Sequence, residues 1–311
     1  MIEQGAVIYV AGHQGLVGSA IVRLLQNQGY RNIVTRTLQE LDLRDQQAVR
    51  LFFNAEKPAY VFLAAARVGG IQTNALRPAE FIYDNLAIQL NVLHAAYEHQ
   101  VKKLLFLGSS CIYPRDAEQP IKEESLLTGP LEKTNEPYAV AKIAGITFCQ
   151  SYNKQYGTNF ISVMPTNLYG PGDNFDQKQG HVIPALIAKF CDAVKHKKSA
   201  VVVGGSGTAY REFLYVDDCA QALLFLMNHY NDSATINIGS GTDITIKELV
   251  DRIARITGFE GTIVWDTKFP DGTPRKQLDV RKLRALGWHA QTSLNEGLLK
   301  TVAWYKKHEN K

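Results

Sequence analysis

Two rhythms of apolar residues alternate along the first half of the chain. Nearly unbroken apolar runs at residues 6–11, 60–63, 103–107 and 160–164 are short and rich in Val, Ile, Tyr and Phe, which predicts buried strands, and the shorter stretch at 32–35 predicts a further strand. Between them the apolar spacing is helical: through Leu24 and Leu25 to Gly29, over 45–55, from Pro78 to about His99, and from Pro137 onward. Strand–helix alternation predicts an α/β fold, a Rossmann-type doubly wound parallel sheet covered on both faces. Leu86, Leu90, Leu93 and Tyr97 form one stripe, expected to be core or subunit contact. After residue 172 the alternation weakens. Proline breaks, a glycine turn at 204–207 and shorter segments, with helices over 216–227, 246–256 and 294–304, predict a smaller C-terminal α/β lobe. The expected division is 1–171 for a dinucleotide-binding domain, to which later segments can return, and 172–311 for a mainly substrate-binding lobe.

Composition narrows the function classes. The 311 residues are 45% apolar, ample for a core, and the net charge of +4 is spread along the sequence. The densest basic run, Lys195-His196-Lys197-Lys198, ends a helical stretch, where cations complement the dipole, so no nucleic-acid surface is expected. Cys111, Cys149, Cys191 and Cys219 form no C-x-x-C pair, which points away from a disulfide framework or a metal site. With no apolar run of about 18 residues and no signal-like N-terminus, the expectation is a cytoplasmic protein without a membrane partner.

Candidate chemistry begins at the first turn. Gly12-His13-Gln14-Gly15-Leu16-Val17-Gly18 lies between a strand and a helix, where glycines let backbone approach a pyrophosphate and the helix N-terminus favours its charge. A purely structural turn would use the same glycines. The second strand is followed by Arg36 and not by an acid for a ribose 2′-hydroxyl, which suits a 2′-phosphate. Small residues, Ala64 and Ala65, follow the strand at 60–63. Further on, Pro137 suits the first helical position, and Tyr138 and Lys142, four residues apart, share a face of that helix. A neighbouring ammonium favours phenolate and should lower the tyrosine pKa toward a useful general acid. Ser109 leaves the carboxyl end of the strand at 103–107, where ligands bind in open sheets. Cys111 and His181 carry groups whose ordinary pKa values, about 8.5 and 6.5, bracket neutrality. Either could instead be a buried structural residue.

The G-x-x-G-x-x-G spacing, Ser109 and the Tyr138–Lys142 pair resemble the extended short-chain dehydrogenases/reductases. Longer strings, 108–114, 135–145, 165–171, 181–185, Arg211-Glu212-Phe213 and 270–276, are similar to the GDP-L-fucose synthase family over nearly the whole chain. That resemblance implies 3,5-epimerisation of GDP-4-dehydro-6-deoxy-D-mannose followed by NADPH-dependent reduction of its 4-ketone. It implies Tyr138 as proton donor, Lys142 and Ser109 as its partners, Cys111 as base and His181 as acid. NADP(H) would lie along the glycine loop, Arg36, Asp42, Leu43, Ala64, Ala65, Lys142, Pro165, Thr166, Asn167, Leu168 and His181. The GDP-sugar would meet Ser109, Lys189, Gly204, Arg211 and Asp271. Gly204 departs from the family, which commonly has Trp there. The resemblance also implies a homodimer through the helices after Pro78 and Pro137. A GDP-colitose synthase, a sugar-nucleotide 4-epimerase or dehydratase, and a catalytically silent NADP-binding regulator are the alternatives.

Overall fold

Strand β1 (Ile8–Ala11) is buried at all four positions, so its alternate side chains must find apolar partners on both faces. In the computed structural model, which describes residues 1–177, 180–269 and 272–309, they do. Ile8 and Val10 enter one core with helices α1 (Leu16–Asn27) and Val216–His229, while Tyr9 and Ala11 enter another with α2 (Gln46–Glu56) and the long helices at Pro78–Glu98 and Glu136–Tyr156. β1 is flanked by β2 (Ile33–Val34) and β3 (Tyr60–Leu63), followed by β4 (Lys103–Leu107), β5 (Phe160–Pro165) and Ile236–Ile238, all parallel. This is the doubly wound sheet expected from the alternation of rhythms. Numbered in chain order, the remaining helices are α3 (Ile71–Leu76), α4 (Pro78–Glu98), α5 (Glu136–Tyr156), α6 (Val182–Lys195), α7 (Val216–His229), α8 (Ile246–Thr257), α9 (Arg281–Ala285) and α10 (Leu294–His308).

The other strands build two smaller sheets. β6 (Asn167–Tyr169) pairs with β8 (Tyr210–Tyr215), which also pairs with β10 (Asp243–Thr245) and β12 (Arg275–Lys276); β7 (Ala200–Gly204) pairs with β11 (Thr262–Asp266). A third core joins α6, α8 and α10 to β7 and β8 through Ile187, Phe190, Val201, Phe213, Ile253 and Leu298. The strand at Ile236–Ile238, β9, lies between β8 and β10 in sequence yet completes the first sheet, and α7 packs on α1.

Two local expectations need correction. Residues 165–172, after the strand at 160–164, read from sequence as a turn, but Asn167–Tyr169 is a strand, because β8 offers it a parallel edge that no local signal announces. Pro137 sits in the first turn of α5 one place later than expected, since Glu136 is already helical. The stripe on α4 divides: Leu93 is buried, whereas Leu90 remains 43% exposed.

Candidate active site

The carboxyl ends of β1 and β3, between which the chain's strand order reverses, make the first wall of the site. Gly12 follows β1 with φ +84°, and a Cβ there would come within 2.7 Å of the Ala65 backbone. Gly18, in the first turns of α1, would place a Cβ 2.1 Å from the Gly12 carbonyl oxygen. Both positions therefore need hydrogen, and the result is a close fold of loop on helix with Gly15 as N-cap of α1. Leu16 and Val17 pack on the core, while Gln14 and Gly15 are exposed at the mouth. His13 Nδ1 is buried and has no partner, a polar atom waiting for one. This cradle fits a dinucleotide diphosphate.

Arg36 lies beyond β2, its guanidinium over the Phe52 ring and paired with the Glu56 carboxylate. Asp42 is engaged by the Arg44 side chain at 2.7 Å, and Leu41 and Leu43 are buried beside it. On the other side of the cradle, Pro165 ends β5; Thr166 and Asn167 both donate to the Glu212 carbonyl, at 3.3 and 2.8 Å, and Leu168 packs on the core.

The reactive side chains converge at the end of β4. Ser109 caps a short 3-10 turn by accepting from the Cys111 N–H at 3.2 Å, and its hydroxyl lies close enough to the Tyr138 phenol to act on it. Cys111 is a free, half-buried thiol close enough for its charge to act on that phenol. Lys142 is 3% exposed; its ammonium donates to the Leu107 carbonyl at 2.7 Å and lies 5.9 Å from the Tyr138 ring centroid. Sequence spacing thus placed this pair correctly. The pKa expectation was wrong in direction. Burial raises the Tyr138 phenol above its usual 10, with Cys111 adding to the rise and Ser109 opposing it. Burial likewise pulls Lys142 down to about 7, against which the Leu107 carbonyl and the Phe106 ring face, 4.9 Å away, favour the ammonium.

His181 stands as N-cap of α6 in extended conformation, and its ring makes no capping bond, which leaves the imidazole available. Desolvation draws its pKa below 6.5. Lys189 Nζ donates to the Val202 carbonyl at 2.9 Å, and Arg211 donates to the Tyr210 carbonyl at 2.7 Å. Arg211 also lines a cavity of about 470 Å³ with Ser240, Thr242, Arg252 and Thr292, a lining that includes none of the reactive side chains. Gly204 faces the Phe269 ring, whose nearest atoms would lie 3.2 Å from a Cβ there. Asp271 lies outside the described residues. One residue of the site escaped sequence reasoning: Lys276 Nζ approaches the Cys111 sulfur at 3.5 Å. Only the run at 270–276 hinted at it.

Residues 8–239 match the family model described as NAD dependent epimerase/dehydratase. The chain belongs to the NAD dependent epimerase/dehydratase family. Within that family it is 58% identical over 305 residues to "Putative GDP-L-fucose synthase 2" of Arabidopsis thaliana, covering 98% of this chain and 93% of the relative. It is 51% identical over 313 residues to the GDP-L-fucose synthase of Escherichia coli K12, covering 98% of each. Among solved structures, a GDP-L-fucose synthetase from Naegleria fowleri bound to NADP superimposes with a TM-score of 0.92 at 31% identity, over 100% of this chain and 97% of that one.

Proposed function

We propose that this member of the epimerase/dehydratase family converts GDP-4-dehydro-6-deoxy-D-mannose to GDP-L-fucose by 3,5-epimerisation and reduction of the 4-ketone with NADPH. The observation that carries the reading is the gathering of the Ser109 hydroxyl, the Cys111 thiol and the Lys142 ammonium around one phenol, Tyr138, beside the glycine cradle. The similarity to GDP-L-fucose synthases over nearly the whole chain supports it.

The hydrogens on C3 and C5 are acidic because each carbon adjoins the C4 ketone, and removing one builds charge on the ketone oxygen. Tyr138 and Ser109 supply hydrogen bonds to that charge. Cys111 takes the proton from one face, and His181 delivers a proton to the other. NADPH, when bound, supplies the hydride for C4. Tyr138, kept protonated by its buried setting, then gives its proton to the alkoxide, and Lys142 would hold the nicotinamide ribose and restore the charge balance around the phenol. Residues 1–171, with α7 and β9 returning, would carry the cofactor, and the remainder mainly the GDP-sugar; the protein would work in the cytoplasm.

Supplying NADPH and GDP-4-dehydro-6-deoxymannose and identifying the sugar by NMR tests the reading. A 4-reduced sugar with unchanged C3 and C5 would make the protein a simple reductase, a 3-deoxy substrate turned over in preference would make it a colitose synthase, and stable NADPH absorbance would make it a silent binder.

NADPH is preferred because the Glu56 carboxylate and the Phe52 ring hold Arg36 at the end of β2, ready for a 2′-phosphate. Arg36→Ala should weaken NADPH by about 10- to 100-fold, the worth of one charge-assisted contact, and NADH hardly at all. Equal losses in a titration of both cofactors would remove the basis for the preference.

The lowered His181 pKa carries a pH signature. Exchange of C3 and C5 hydrogens needs only the base, whereas inversion also needs imidazolium, whose fraction falls about tenfold per pH unit above its pKa. The ratio of exchange to inversion, followed by NMR in D2O, should therefore climb by about 10- to 30-fold between about pH 6.5 and 8. A flat ratio would exclude His181 as the proton donor.

A homodimer is part of the reading. On α4 and α5, Tyr97 stacks on Tyr156 at 4.3 Å and Phe148 on Tyr152 at 4.1 Å, and Leu90 and Val140 on the same helices are 43% and 40% exposed, a surface suited to a second copy.

A further inference from the structure

Lys276 reaches the Cys111 sulfur from a part of the chain 165 residues away, and the contact is built rather than incidental. Its backbone lies on β12, paired in register with β8, Lys276 opposite Arg211. Immediately after it, Gln277 N–H donates to the Gln119 side chain at 2.9 Å, Gln277 carbonyl accepts from Ile121 N–H at 2.8 Å, and Leu278 N–H donates to the Glu212 carboxylate at 2.7 Å. Glu212 is fully buried and also accepts from Gly241 N–H at 2.7 Å. Gln119 and Ile121 belong to the stretch that continues from the Cys111 turn, so the strand carrying the ammonium and the turn carrying the thiol are bonded to one another. The other three cysteines are buried in apolar surroundings, and Cys111 is the half-buried one.

We infer that Lys276 is the positioning residue of Cys111: its ammonium donates to the sulfur and stabilises the thiolate that removes the proton beside the ketone. This rests on the reading of Cys111 as base. In that step the proton passes from carbon to sulfur, the C–H electron pair enters the enolate, and the negative charge moves from sulfur to the ketone oxygen facing Tyr138 and Ser109. Lys276 keeps its own proton throughout.

The test uses the whole protein and iodoacetamide without substrate, with the alkylated residue located by peptide mass spectrometry. The Cys111 sulfur displaces iodide, forming the S–C bond, at a rate that tracks its thiolate fraction. Lys276→Met should slow this alkylation about tenfold near neutral pH, and Lys276→Arg should restore most of the rate. In D2O with the keto-sugar, Lys276→Met should lose at least about ten times more proton exchange than hydride transfer to an already epimerised ketone. Parent-rate alkylation in Lys276→Met would overturn the inference alone. So would equal losses of exchange and hydride transfer that Lys276→Arg does not repair, the mark of a merely structural strand. Undiminished exchange in Cys111→Ser would instead overturn the assignment of the base on which the inference rests.

Discussion

Replacing Tyr138 by Phe is expected to lower reduction of the keto-sugar by about 10²- to 10⁴-fold, the usual worth of a positioned general acid, while NADPH binding stays within about twofold. The ring survives in this variant, still edge-on to Phe81 at 6.5 Å, and Lys142 is still held by the Leu107 carbonyl. What disappears is one hydroxyl. Because burial raises its pKa, the phenol is protonated throughout the neutral range and yields its proton only to a stronger base, the alkoxide that forms as hydride arrives. The raised pKa keeps the phenol in its proton-bearing form, the state the acid role requires. Loss of NADPH absorbance in single turnover, beside a fluorescence titration of cofactor, measures both halves. Parent-rate reduction by Tyr138→Phe would mean that another group supplies the proton.

Cys111→Ser is the second large effect, and it separates two chemistries housed in one site. Without NADPH, the parent protein should place deuterium from D2O at C3 and C5 of the keto-sugar. The serine variant should abolish this, because a hydroxyl is a far weaker base than a thiol near neutrality. The exchange of sulfur for oxygen leaves the Cys111 N–H bonded to Ser109 and the turn intact. Supplied with an already epimerised ketone, the variant should therefore still oxidise NADPH. Deuterium incorporation at the parent rate would take the base role from Cys111 and leave the reductase reading standing.

What could be read in advance was what neighbouring residues encode. The run of β1, the glycines and the apolar spacing of α1 sit within one stretch, and the four-residue interval from Tyr138 to Lys142 needs only a helix to become a contact. Partners far apart in sequence were illegible. Arg36 meets Glu56 twenty residues on, β6 exists only because β8 passes beside it, and Lys276 reaches Cys111 across 165 residues. Electrostatic direction failed for a related reason. Spacing shows which charge is near Tyr138 but not how much protein surrounds it, and burial proved the larger influence.

The return of α7 and β9 to the first sheet has a consequence for anyone hoping to treat the two halves as interchangeable modules. A fragment cut at residue 171 would keep the glycine cradle and the Tyr138–Lys142 pair, yet lose the strand that borders β5 and the helix that shields α1. Ile161, Val163 and Ile21 would then face water where Ile236, Ile238, Leu223 and Met227 now help cover their shared core. Such a fragment should aggregate rather than bind cofactor. Any chimera that grafts a different sugar-recognising portion onto this scaffold has to carry residues 216–238 across with the recipient, so the usable crossover points lie on either side of that segment and not at its first apparent seam.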